Sequence, residues 1–161
     1  MREAATNPSP ASTPASIIER LVGATGDPEE VVKAGRVIAE RILKPLRAGL
    51  EDAASEPVAV EIEAVAVERT AELLIGAGPH DALTVGSSTA SPEALSIRLE
   101  AKAIAVLLNA LFGAEADVAA GGIERDLSPV EIEVANLACR LVAVAYNGFN
   151  APAQRIRLPL A

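Results

Sequence analysis

Tryptophan is absent from this 161-residue chain, and Phe112, Tyr146 and Phe149 are its only aromatic residues. A core must therefore be built from Ala, Val, Leu and Ile, and the stacking platforms used by single-strand nucleic-acid binders are missing. There is one cysteine, Cys139, so no internal disulfide can form. It lies in an apolar helical run with no histidine near it in sequence, and reads as a buried, inert thiol. There is also one histidine, His80, in a Gly-Pro-His-Asp stretch that reads as an ordinary exposed loop. No His/Cys group has metal-ligand spacing, so neither a metal nor a cofactor is expected. Basic residues are outnumbered 22 to 14, and the net charge of -8 repels phosphate backbones and anionic membrane surfaces. The N-terminus has no signal-peptide apolar core, and no apolar run approaches bilayer length.

What is present is helical and strand patterning. Residues 1–14, rich in Ala, Ser, Thr and Pro, read as a disordered tail, and 15–26 as a short helix and linker ending after Gly23. The main domain is expected over 27–161. Asp27-Pro28-Glu29-Glu30 is a helix start. Val31, Ala34, Ile38, Ile42, Leu46 and Leu50 then recur at helical spacing, widened by Val37 and Leu43. Pro45 is expected to kink or split this helix. After Ser55-Glu56-Pro57, the alternation of Val58, Val60, Ile62 and Ala64 with Ala59, Glu61 and Glu63 predicts a half-buried strand. Two short strands follow, near Leu83–Val85 and Leu95–Leu99, joined by a Ser/Thr-rich turn.

A helix over about 101–112 aligns Ile104, Leu107, Leu108 and Leu111 and stops at Phe112-Gly113. A second begins at Leu127-Ser128-Pro129-Val130-Glu131 with a capping box and runs to about Asn147. Val130, Val134, Leu137 and Leu141 form its expected stripe. Gln154-Arg155-Ile156-Arg157-Leu158-Pro159-Leu160 predicts a last short strand with Ile156, Leu158 and Leu160 on one face and Pro159 marking an edge or strand end, its exposed edge inviting self-association. Helices and strands mix without a βαβ rhythm, so the class is α+β, a mostly antiparallel sheet with long helices packed on it.

Catalytic groups are scarce. Gly121-Gly122 precedes a helix, but no Gly-Lys-Ser/Thr follows to make a phosphate loop. Glu61 and Glu63 share one strand face and read as its solvated side. The balance favours a binding protein over an enzyme.

Three stretches, in this order and spacing, resemble the middle domain of the FliM family of flagellar motor switch proteins, related to the CheC and CheX phosphatases. They are Pro57-Val58-Ala59-Val60-Glu61-Ile62-Glu63-Ala64-Val65, then Leu95 to Gly113, then Leu127 to Glu131. The resemblance covers roughly 30–160 and implies a CheC-like half-domain. It also implies a non-enzymatic role in the cytoplasmic ring at the inner-membrane flagellar basal body, controlling the direction of rotation. The implied partners are FliG, FliN, neighbouring FliM-like subunits and CheY. By the same analogy Phe112, Gly113, Ala114, Glu115, Gly121 and Gly122 form the partner-binding element. The family has Gly-Gly-x-Gly there, whereas this chain has Gly113-Ala114-Glu115-Ala116. The short CheY-binding segment usual at the family's N-terminus has no counterpart in 1–14. The pattern ends after the first strand of the family's second half.

CheC-type phosphatases supply the alternative. Glu133, Asn136 and Pro159 reproduce their Glu-x2-Asn-x22-Pro, in which the Asn orients a water toward an aspartyl phosphate. The leading position falls on Pro129 rather than on Ser128. Aligned instead on the Ser128/Glu131 cap, the family's Glu and Asn fall on Leu137 and Arg140, which cannot do that chemistry.

Overall fold

The computed structural model describes residues 28–67, 76–89, 94–113 and 123–159. The expected tail and short helix before residue 27 lie outside them. The architecture is α+β: helices packed on a small antiparallel sheet. In chain order the elements are α1 (Pro28–Ala53), β1 (Ala82–Gly86), β2 (Leu95–Leu99), α2 (Ala101–Phe112) and α3 (Pro129–Asn147), then a 3-10 turn at Pro152–Gln154. β1 and β2 pair in a register that sets Thr84 against Ile97. Ile97 faces inward while Ser96 and Arg98 are exposed, as the alternation predicts.

The core is centred on Ile104, Val134 and Ala135, with Leu99, Leu107, Leu108, Leu111 and Leu127 packed around them. Ile104 is completely buried, which stabilises the fold by about 1.5–3 kcal/mol relative to an exposed side chain. The stripe expected on α2 is thus the one that packs.

The other two helices bury most of their expected stripes and leave one end of each outside. On α1, Ile42, Leu43 and Leu46 are half-buried and Leu50 is buried, while Val31, Ala34, Val37 and Ile38 are exposed. On α3, Val134 is buried and Leu137 and Leu141 are half-buried. Two glycines of α1 stand in close contact with neighbours. A Cβ at Gly35 would stand 3.0 Å from Val65 Cγ1, and one at Gly49 would stand 2.9 Å from Leu141 Cδ2. Those contacts bring neighbours close to the side with least bulk. On α3, Val130 is 52% exposed, and Ala135, Ala138, Cys139, Ala143 and Ala145 are buried. Small residues line both interfaces. α1 continues through Pro45 without the expected break; the proline is exposed, on the solvent side.

The two outer strands are not formed as expected. The 57–65 stretch is extended, and Val58, Val60 and Ile62 are half-buried as expected, with Val65 half-buried in place of the exposed Ala64, but it joins no ladder among the described residues. It lies along α1 instead: the Arg47 guanidinium donates to Val60 O through Nε (2.9 Å) and Nη2 (2.5 Å). Between the two contacts, Gly35 to Arg47 rises about 18 Å in a helix, and Val60 to Val65 about 17 Å when extended. The segment therefore runs antiparallel to the helix.

At the C-terminal end a single bridge forms among the described residues, between Ser87 and Arg157. Ile156 is held by a side chain instead: Asn147 Oδ1 accepts its N–H at 2.7 Å and Asn147 Nδ2 donates to its carbonyl at 2.9 Å. The ladder cannot grow past the bridge, because the next paired position is Pro159, which has no N–H.

Candidate functional site

α2 ends in a bare tip. Gly113 takes φ +70°, a left-handed conformation that favours glycine, and its N–H closes on Asn109 O at 2.8 Å. The tip is fixed from the end of α1. Ser55 and Glu56 N–H both donate to Ala110 O, at 2.9 and 3.0 Å, and Ser55 Oγ donates to Leu111 O at 3.1 Å. On this anchored platform Phe112 is 69% exposed. Of the residues expected to contact a partner, Phe112 and Gly113 are placed together here. Ala114, Glu115, Gly121 and Gly122 lie outside the described residues.

α3 opens on the expected capping box. Ser128 N–H donates to Glu131 Oε2 at 2.6 Å, and Glu131 N–H donates to Ser128 Oγ at 3.4 Å. Arg125 completes it with a bidentate pair, both nitrogens 2.9 Å from the Glu131 carboxylate. Glu131 is the one buried charged residue among those described. The Arg125 hydrogen bonds, aided by those from Ser128, hold its carboxyl down at about 2.

Farther along α3 a cleft of about 440 Å³ opens between Glu133, Asn136, Arg140, Asn147 and the 156–159 segment, with Thr84 on the sheet side. It brings together Glu133, Asn136 and Pro159, which are spread over 27 residues of sequence. Glu133 is exposed and 4.0 Å from Arg140. The Asn136 Nδ2 is buried without a hydrogen-bond partner. Pro129, at the motif's leading position, is exposed and carries no acid or hydroxyl. The cleft can therefore donate from an amide and accept at a carboxylate, which suits positioning of water or an anionic oxygen. Cys139 lines it too, but burial pushes the thiol pKa up, so it is a poor nucleophile. Leu137 is half-buried and Arg140 is exposed, so the alternative register puts no carboxylate or amide there.

His80 is not the exposed loop residue expected. It is half-buried, with Nδ1 covered and 4.0 Å from Asp126, beyond hydrogen-bond reach. Its neighbour Asp81 ties the loop to α2, accepting from Gly78 N–H at 2.8 Å and Ala101 N–H at 3.1 Å. The Gly78 bond lowers its carboxyl pKa; burial opposes this, and Ala101, Arg98 and His80 reinforce it. Glu61 and Glu63 are solvated, as expected. Sequence reasoning missed the Arg125 clamp, Asp81 and Asn147. Only Asp81 carries a local signal, an acid three residues after Gly78 in a Gly/Pro turn.

Among the described residues no group of acidic, His or Cys side chains could hold a metal, and no helix is long and apolar enough to cross a membrane. Compared with family models, curated proteins and solved structures, the chain matches none.

Proposed function

We propose that this chain is a non-enzymatic component of a flagellar motor switch, of the FliM middle-domain kind, acting in the cytoplasmic ring at the base of the flagellum. Its work is protein–protein contact with FliG, FliN and neighbouring FliM-like subunits. The observation that carries this reading is Phe112: a large apolar side chain left 69% exposed on a tip anchored by three hydrogen bonds. Exposed aromatics on rigid supports are typical anchors of interfaces. The tip also stands where the family's partner-binding element begins. The test is capture of purified FliG, FliN or full-length FliM by the 161-residue chain. Binding that weakens at least about tenfold in Phe112→Ser, with unchanged circular dichroism, supports the reading. No binding to any of the three sinks it.

The cleft favours a second reading, a CheC-like phosphatase acting on phosphorylated CheY. Its support is the meeting of Glu133, Asn136 and Pro159 around an amide that lacks a partner. In that chemistry Asn136 would orient the attacking water, with Glu133 one helical turn away. Decay of phosphorylated CheY, measured with and without the chain, separates the two readings. Acceleration that disappears in Asn136→Ala would replace the first reading with the second.

A further inference from the structure

The extended stretch 57–65 has the shape of a strand and none of its pairing. Among the described residues its backbone makes no backbone–backbone hydrogen bond, and its one bonded carbonyl, Val60 O, is taken by Arg47. In an extended chain successive residues turn their N–H and C=O to opposite edges. The edge of Val60 faces Arg47, so among the described residues the edge carrying Ala59, Glu61 and Glu63 is the one without a hydrogen-bond partner. A cleft of about 430 Å³ touches Val58, Ala59 and Val60 in succession. It runs along the segment beside the three helices, with mostly apolar walls that include Leu46, Leu50, Leu107 and Val142, and with Glu100 and Lys102 as its charged lining.

The charges on this segment select the occupant. Glu61 and Glu63 are exposed, two residues and so about 7 Å apart on one face, and have no ion pair among the described residues. A second copy pairing its own 57–65 here would set glutamate against glutamate, which is unfavourable. The stretch of this chain with the opposite pattern, Arg155-Ile156-Arg157-Leu158, is already held by Asn147 and Ser87.

We infer that 57–65 is a docking edge for an extended segment of another protein in which aliphatic residues alternate with lysine or arginine. The incoming strand takes hydrogen bonds from the Ala59/Glu61/Glu63 edge and sets its basic side chains opposite the two glutamates, with its apolar ones toward the cleft. This inference stands apart from the switch reading, because it uses neither Phe112 nor the α3 cleft.

The probes are an alternating Lys-Val decapeptide, its Glu-Val counterpart, and the Lys-Val peptide N-methylated at every second residue. Each is titrated into the full chain by fluorescence anisotropy, with amide hydrogen exchange read at 59, 61 and 63. The expected result is binding of the Lys-Val peptide at least about tenfold tighter than of the Glu-Val one, with slowed exchange at those amides. The preference reverses in the doubly substituted Glu61→Lys, Glu63→Lys chain, whose exposed sites leave the fold intact. Equal binding of both peptides, or none, overturns the inference. So does binding that survives N-methylation, which would be surface charge alone. Amides at 59, 61 and 63 that are already protected in the free chain, or a dimer in sedimentation whose dissociation exposes them, overturn it in favour of another occupant.

Discussion

Glu131 and Glu133 stand two residues apart on α3 and meet opposite fates. Glu131 is buried, with Arg125, the Ser128 backbone and the Ser128 hydroxyl filling its hydrogen-bonding capacity. Glu133 is exposed, in a 4.0 Å pair with an equally exposed Arg140. One turn on, the buried Asn136 Nδ2 lacks any partner. The saturated cluster fixes where α3 begins, while the cleft leaves the Asn136 amide without a partner. A buried polar group costs free energy when unpaired, so the two sites should respond differently to substitution.

The largest way to break this contrast is Glu131→Ala. It should cost about 2–3 kcal/mol in urea denaturation, since it removes charge-assisted bonds and strands the Ser128 N–H. If Glu133→Ala costs as much, the contrast is wrong; it should stay within about 0.5 kcal/mol. Acid gives an independent view. The folded carboxyl of Glu131 sits at about 2, below its ordinary 4.5. Its contribution is therefore fully present above about pH 5 and is lost as the pH falls toward 2. Denaturation midpoints followed over that range should drop in the natural chain, and drop less in Glu131→Gln. Ser128→Ala should come next, at about 1 kcal/mol, because it removes one cap acceptor and leaves the Arg125 clamp in place. Asn136→Ala should be the smallest effect, within about 0.5 kcal/mol of neutral in the same denaturation, as its Nδ2 has no bond to lose. A loss of several kcal/mol there would place Asn136 with Glu131 as a structural group.

Much of this was legible in the sequence. The capping box, the hairpin strands, the α2 stripe, the helix stop at Gly113 and the burial of Cys139 follow from local pattern, and local pattern decides them. The α1 and α3 stripes followed only in part: Ile42, Leu46, Leu50, Val134, Leu137 and Leu141 are covered as expected, but the residues at the start of each helix are not. Gly35, Gly49 and the alanines of α3 allow close approach, and Val31, Val37, Val130 and Val144 are left outside. The outer strands misled for another reason. Alternation records which side of a segment is covered, and α1 covers 57–65 as well as a sheet would. For the candidate site, the spacing from Glu133 to Pro159 named three residues of one cleft. No spacing disclosed that Asn147 would hold Ile156, or that Phe112 would stand clear of the core.

The joint between Ser55-Glu56 and the end of α2 has a mechanical meaning. Three hydrogen bonds, concentrated on two residues, weld the stop of α1 to the platform under Phe112. Pro57 follows immediately and stiffens the entry into 57–65. The residues under Phe112 are thus joined directly to the link between α1 and the 57–65 segment, so the tip and that segment share one anchor.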